Sequence, residues 1–146
     1  MSASNSFETS LLTLVFNNTN IANVGDATGL RGSSTAGSLY ISLHTADPGE
    51  AGSQTTNEAN YGSYARVAVA RSAGGFTISG NSVSNTAAVT FPACASGSST
   101  CTYFGVGTDS SGAGTLLLSG ALTASLAVST GITPQFAIGA LTTTCD

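Results

Sequence analysis

His44 is the one imidazole in the sequence, so it is the first residue to consider as a general base. Asp47 follows three residues later and serines are abundant, so the residue types of a Ser-His-Asp hydrolase are present. No serine, however, occupies a Gly-x-Ser-x-Gly elbow. Alternation along the surrounding strand places His44 on its outward face, before a turn, where a hydrogen bond to Asp47 is the simplest role. We therefore predict no catalytic residue and no enzyme activity.

The acidic residues also lack a recognisable motif. No two of them stand out as the paired carboxylates of a glycosidase. Asp47, Glu50 and Glu58 share one polar loop, but their spacing matches no calcium-binding loop, and a solvated acidic loop explains them better. We expect neither a metal nor a cofactor.

Three cysteines remain to be explained. Cys94 and Cys101 bracket a small polar loop in the manner of a stapled hairpin, and a disulfide between them would contribute about 2.5 kcal/mol. Two reduced thiols are an equal alternative, because disulfides are rare in a cytoplasm. The spacing of these two residues and Cys145 does not fit a structural zinc site. Cys145, left over by this count, is a candidate for an intersubunit disulfide or another interface contact.

Charge is unusually scarce. The chain has three basic and seven acidic residues, which is 7% of its length against about 25% in an ordinary soluble domain. All three basic residues are arginines, which is too few for a nucleic-acid surface, and the absence of lysine excludes a P-loop or a Schiff-base enzyme. Arg66 and Arg71 are predicted to pair with the acids Asp47, Glu50 and Glu58, within the subunit or across an interface. All three arginines, Arg31, Arg66 and Arg71, are candidates for specific interface pairs.

The remaining composition indicates a folded protein. Hydrophobic residues make up 41% of the chain and the mean hydropathy is +0.25, which is more than a disordered chain carries. The first residues lack the basic and apolar regions of a signal peptide, and no stretch approaches the length of a membrane span. We expect synthesis in a cytoplasm without a signal peptide, and no membrane contact.

The pattern predicts one domain, 1–146, with an N-terminal helix in residues 1–18. Ser4 or Asn5 can cap the helix, with Glu8 in capping-box spacing from Asn5. Residues 19–38 are rich in glycine and form a predicted extended loop, called the arm below, which is a candidate for contacting a partner.

Residues 39–146 are predicted to form about eight short antiparallel strands. The apolar positions alternate with polar ones, and turn residues recur about every ten positions. Tyr64 to Arg71 is expected to be one strand, and 103–106 with 115–118 a hairpin. Near the chain's end, a bulge at Gly139 would bring Leu141 onto the same face as Phe136. This pattern is typical of a β-sandwich, and eight strands fit a jelly roll.

Several segments resemble a known family. They are Leu39-Tyr40-Ile41-Ser42-Leu43-His44-Thr45-Ala46-Asp47-Pro48-Gly49-Glu50, Tyr64-Ala65-Arg66-Val67-Ala68-Val69, Phe91-Pro92, Tyr103-Phe104-Gly105-Val106 and Pro134-Gln135-Phe136-Ala137-Ile138-Gly139-Ala140-Leu141-Thr142. Together with the helix they are similar to small structural proteins of tailed bacteriophages, often labelled tail fibre proteins. Similar small β proteins serve as capsid cement. The resemblance implies a component of the virion.

Two functions are compatible with that resemblance. The first expectation is a capsid cement or decoration protein, a homotrimer that binds the major capsid protein and stabilises the shell. The alternative is a tail fibre or receptor-binding subunit that recognises a glycan of the host surface. The expected partners are the major capsid protein and further copies of the chain, and neither nucleic acid nor a membrane.

Overall fold

The computed structural model describes residues 3–145, so Met1, Ser2 and Asp146 of the predicted domain 1–146 lie outside the described residues. The chain divides into two compact units. Within the described residues, unit 1 contains 3–38, 70–88 and 136–145, and unit 2 contains 39–69 and 89–135.

Residues 3–145 form one helix and nine strands. They are α1 (Asn5–Asn17), β1 (Ser38–His44), β2 (Val67–Ala70), β3 (Phe76–Ser79), β4 (Ser82–Asn85), β5 (Val89–Thr90), β6 (Ser98–Gly107), β7 (Leu116–Ser129), β8 (Gln135–Phe136) and β9 (Thr142–Thr144). The sheets have the orders β2-β1-β6-β7, β3-β4-β9 and β5-β8. The predicted mainly β, antiparallel architecture with an N-terminal helix is confirmed, and the jelly roll stays a prediction. No helix among the described residues is long and apolar enough to cross a membrane.

Helix α1 begins and ends where its polar residues dictate. Ser4 is the N-cap, and its Oγ accepts a hydrogen bond from the Phe7 amide at 3.3 Å. Of the two predicted caps the structure uses Ser4, so Glu8 lies one residue too late for a capping box. Asn18, with φ +55°, adopts the left-handed conformation that ends the helix.

The inner face of α1 forms the apolar core of unit 1. Leu12 and Phe16 are buried, and the Phe16 ring meets Phe76 of β3 edge to face, with centroids 4.9 Å apart. Unit 1 is therefore held together by the helix packed on the β3-β4-β9 sheet.

Arg71 supplies the charge that the helix lacks at its C-terminus. The last turn of α1 contains no basic residue, but Arg71 Nε donates to the Val15 carbonyl at 2.7 Å and Nη2 to the Leu14 carbonyl at 2.9 Å. Nη1 donates to the Ala36 carbonyl at 3.2 Å. One guanidinium thus caps the helix and fixes the end of the arm.

The end of the chain differs from the predicted continuous strand. Residues 138–140 form a turn between β8 and β9, closed by the Ala140 amide donating to the Ala137 carbonyl at 3.0 Å, so the expected bulge is wrong. Gly139, with φ +70°, permits this turn. Leu141 is buried because Asn85 Oδ1 accepts its amide hydrogen at 2.9 Å and draws it into unit 1.

Strand β1 is the centre of unit 2. It pairs with β6 in a register that places Tyr40 opposite Gly107 and Leu43 opposite Phe104. The predicted β6–β7 hairpin is confirmed, but β7 is longer than the expected strand 115–118, because it continues without a break to Ser129. The predicted strand at Tyr64–Arg71 shortens to β2, which leaves Tyr64 and Arg66 in the preceding loop.

The aromatic contact in unit 1 is testable by truncation. Phe16 is 2% exposed, and its ring contacts Phe76. The Phe16→Ala substitution should lower the free energy of unfolding by about 3–5 kcal/mol, because it removes this contact and leaves a cavity. Phe7, 48% exposed on the same helix, is the matched control, and Phe7→Ala should cost less than about 1 kcal/mol. Urea unfolding followed by circular dichroism measures both, and equal losses would contradict this core.

Candidate functional site

The most extensive group of interacting side chains surrounds Arg66, in the loop before β2. Arg66 and Glu58 form a two-pronged ion pair, with Nε 2.6 Å from Oε1 and Nη2 2.8 Å from Oε2. The Tyr64 hydroxyl donates to Glu58 Oε1 at 3.0 Å and accepts from the Leu43 amide of β1 at 3.0 Å. The carboxylate is therefore attached to the central strand as well as to the arginine.

The remaining donors of Arg66 reach the loop between β6 and β7. Nη1 donates to the Asp109 carbonyl at 2.9 Å, and Nη2 also donates to the Gly112 carbonyl at 2.8 Å. Buried Gln54 reinforces the same loop, since its Nε2 donates to the Asp109 carbonyl at 3.2 Å and its Oε1 accepts from the Asp109 amide at 3.0 Å. These groups, called the Arg66 cluster, join two loops to the sheet.

The electrostatics of the Arg66 cluster favour fixed charges. The hydrogen bond to Glu58 raises the pKa of Arg66, and burial raises the pKa of Tyr64. Arg66 is therefore charged and Tyr64 is protonated at neutral pH. Neither group is ready to exchange a proton with a substrate, so the geometry serves to hold the loops.

His44 does not lie where alternation predicts it. It is 0% exposed, its Nδ1 donates to the Thr56 carbonyl at 2.8 Å, and its Nε2 accepts from the Ser42 hydroxyl at 2.8 Å. The predicted outward position and the bond to Asp47 are wrong because the following loop folds back on β1, where the Thr45 amide donates to the Asn57 carbonyl at 2.7 Å. Burial lowers the pKa of His44.

The cysteines are free thiols in this structure. Cys94 and Cys101 are buried, and Cys94 Sγ donates to the Ser96 carbonyl at 3.3 Å. Burial raises the pKa of Cys101 to about 11, which makes this thiol a poor nucleophile. Cys145 is half-buried, and its amide donates to the Asn81 carbonyl at 2.8 Å. The Cys94–Cys101 disulfide stays one of two equal expectations, and the interface role of Cys145 stays a prediction.

The three arginines have different environments. Arg66 lies in the Arg66 cluster and Arg71 contacts α1 and the arm, so both guanidinium groups are satisfied within their own units. Arg31 is exposed on the arm, and no hydrogen bond or ion pair within residues 3–145 holds it. It is the predicted interface arginine whose side chain is free to meet another molecule.

Unit 2 also has an open groove of about 460 Å³ beside β7, called the β7 groove. It is lined by Asp47, Gly49, Glu50, Leu116, Leu117, Leu118 and Ser119. The side chains of consecutive strand residues point to opposite faces of the sheet. Since the β7 groove is lined by four consecutive residues, 116–119, it runs along the backbone of β7. Among the described residues, no group of three or more His, Cys, Asp or Glu side chains is arranged to hold a metal ion.

Sequence reasoning missed most partners in the Arg66 cluster. It offered Glu58 as one of three acids for Arg66 or Arg71, but it gave no role to Gln54, and it placed Tyr64 in a strand. The hydrogen bonds join residues that are distant in sequence, such as Gln54 and Asp109, so local spacing carried no signal for them. The scarcity of charge was the usable signal, because a buried arginine needs an acid.

The ion pair is testable by removing one partner. Arg66→Met keeps the length of the side chain but leaves the Glu58 carboxylate without its cation, and should lower the free energy of unfolding by about 3–5 kcal/mol. Arg31→Met removes an exposed arginine and should change it by less than about 0.5 kcal/mol. Equal effects of the two changes in urea unfolding would contradict the role of the cluster.

The environment of His44 predicts a pH dependence of stability. Because burial lowers its folded-state pKa below the unfolded value of about 6.5, the folded state binds fewer protons. The contribution of His44 to the free energy of unfolding is therefore fully present above about pH 6.5. It decreases as the pH falls from that value towards the folded-state pKa. Urea unfolding between pH 5 and 8 should show this decline in the wild type.

His44→Gln provides the control for that slope, because His44 is the one histidine of the chain. The variant should be less stable at pH 8, since it disturbs the bonds to Ser42 and Thr56, but it should lose the decline between pH 7 and 5. An unchanged slope in the variant would show that another group causes it.

The sequence was also compared with known proteins. It matches the family described as Podophage GP4 fiber I protein gp80 over residues 2–144, which includes α1, the arm and β1 to β9. No curated protein matches the chain. The predicted resemblance to phage structural proteins is confirmed: the chain belongs to the podophage GP4 fiber I protein gp80 family and has a structural role in the virion.

Proposed function

We propose that the chain is a non-enzymatic fibre subunit of a tailed phage, held in place by contacts with other particle proteins and with copies of itself. The family description carries the proposal, because it names a fibre protein and the match extends over residues 2–144. This description favours the fibre alternative over capsid cement, which the sequence reading placed first.

The environments of the reactive side chains support a role without catalysis. Both ring nitrogens of His44 are committed to neighbours inside unit 2, and the ring is buried. The guanidinium of Arg66 is saturated by Glu58 and by two loop carbonyls. A substrate would have to open the fold to reach either group, which costs stability without assembling a reaction centre.

The distribution of charge supports assembly with other proteins. With seven acidic and three basic residues in the chain, and two arginines used internally, the surface consists mainly of hydroxyl, amide and apolar groups. Protein interfaces are depleted of charge at their centres, and burying hydroxyl and amide groups that find hydrogen-bond partners costs less than burying charges. We expect self-association, with the predicted homotrimer as the form to test.

Labelling of intact particles tests the position in the virion. Antibody fragments raised against the purified chain should bind the fibres and leave the shell unlabelled in negative-stain electron microscopy. Particles made without this chain are the control and should show no label. Label repeated over the lattice of the shell would contradict the fibre proposal and support capsid cement, while unlabelled wild-type particles with accessible fibres would contradict both.

A further inference from the structure

Strand β7 lies at the edge of its sheet. It spans 14 residues and has β6 as its one neighbour in the sheet order of the described chain. Proteins normally protect such an edge with charged residues or proline, because unpaired backbone groups attract other strands. Residues 116–129 contain neither. The edge is therefore suited to a partner that covers it.

The β7 groove gives that edge a chemical preference. Its apolar part consists of Leu116, Leu117 and Leu118, and its other wall carries Asp47 and Glu50. Both acids are exposed, and neither takes part in an ion pair within residues 3–145, since Glu58 alone pairs with an arginine there. A fitting occupant therefore combines apolar side chains with a cation.

The arm of this chain has that combination. Arg31 is its free cation, the adjacent Leu30 is 45% exposed, and Val24 elsewhere on the arm is 42% exposed. The one acid of the arm, Asp26, accepts hydrogen bonds from the Thr28 and Gly29 amides of the arm itself. With no lysine in the sequence, and with Arg66 and Arg71 engaged, no other cationic side chain of the chain is free to serve the groove.

The arm is also held in one shape before any partner arrives. Ile21 and Leu30 exchange two backbone hydrogen bonds of 2.9 Å, which close the loop between them. Asn20 Oδ1 accepts the Gly32 amide hydrogen at 2.9 Å and fixes the residue after Arg31. A preorganised loop loses little conformational entropy on binding.

We propose that the arm of one copy docks in the β7 groove of a second copy, with Arg31 beside Asp47 and Glu50 and Leu30 against Leu117. The inference deepens the proposed fibre function, on which it rests, by naming the surfaces through which copies meet. Arm and groove are different patches, so the contact is heterologous and closes a ring when the rotation between copies allows.

Charge reversal tests the contact on the full-length chain. Arg31→Glu places a third acid beside Asp47 and Glu50 and should weaken self-association at least about tenfold in Kd. Sedimentation velocity over a concentration series measures this, with thermal unfolding as a check that the exposed substitution leaves the fold unchanged. Glu50→Arg alone should weaken association in the same way, because it places a second positive charge opposite Arg31.

The double variant Arg31→Glu/Glu50→Arg restores opposite charges and should recover most of the lost affinity. Ser79→Glu, an exposed change on β3 outside the arm and the groove, should associate like the wild type. A wild-type chain that stays monomeric, or an Arg31→Glu variant that associates normally, would overturn the inference.

The outcome is separable from that of the fibre proposal. Fibre labelling on particles combined with a monomeric chain in solution would refute the contact between copies while retaining the function. Self-association that responds to the charge reversals, combined with label on the shell, would retain the contact and refute the fibre position.

Discussion

Arg66 and Glu58 form the interaction on which the loops of unit 2 depend. Removing a guanidinium from water is costly unless its donors find acceptors, and here Nε, Nη1 and Nη2 all donate to Glu58 or to loop carbonyls. Because those carbonyls belong to the β6–β7 loop and Tyr64 connects Glu58 to β1, the pair sets the loops against the sheet. The same loop before β2 carries the residues that bury His44.

Local chemistry made part of this structure predictable. The N-cap residue Ser4 marks the start of a helix within one stretch of chain, and the turn residues between β6 and β7 define their hairpin. His44 was misplaced because its burial depends on Thr56, which returns to β1 through a loop that shows no periodicity. The bulge at Gly139 was predicted wrongly for a similar reason, since Asn85 from another part of unit 1 holds Leu141 after the turn. Contacts between distant residues decided both positions.

Two of the three arginines are hydrogen-bonded inside the fold, so even fewer charges are available at the surface than the composition suggests. Arg66 holds the loops of unit 2 and Arg71 caps α1, so neither guanidinium is left to meet a partner molecule. The exposed charged residues of the described chain are then Arg31 and Asp26 on the arm, Asp47 and Glu50 at the β7 groove, and Asp109 in the β6–β7 loop. For a member of a phage fibre family, these sparse charges are suited to selecting one orientation between neutral surfaces.

The central claim is that copies of this chain meet in the fibre through the arm and the β7 groove. A near-atomic electron cryo-microscopy reconstruction of the fibre on the intact particle tests it most directly. The account predicts density for this chain in the fibre, with the Arg31 side chain of one copy between Asp47 and Glu50 of its neighbour. A fibre in which the β7 groove is open to solvent, or is filled by a different protein, would contradict it.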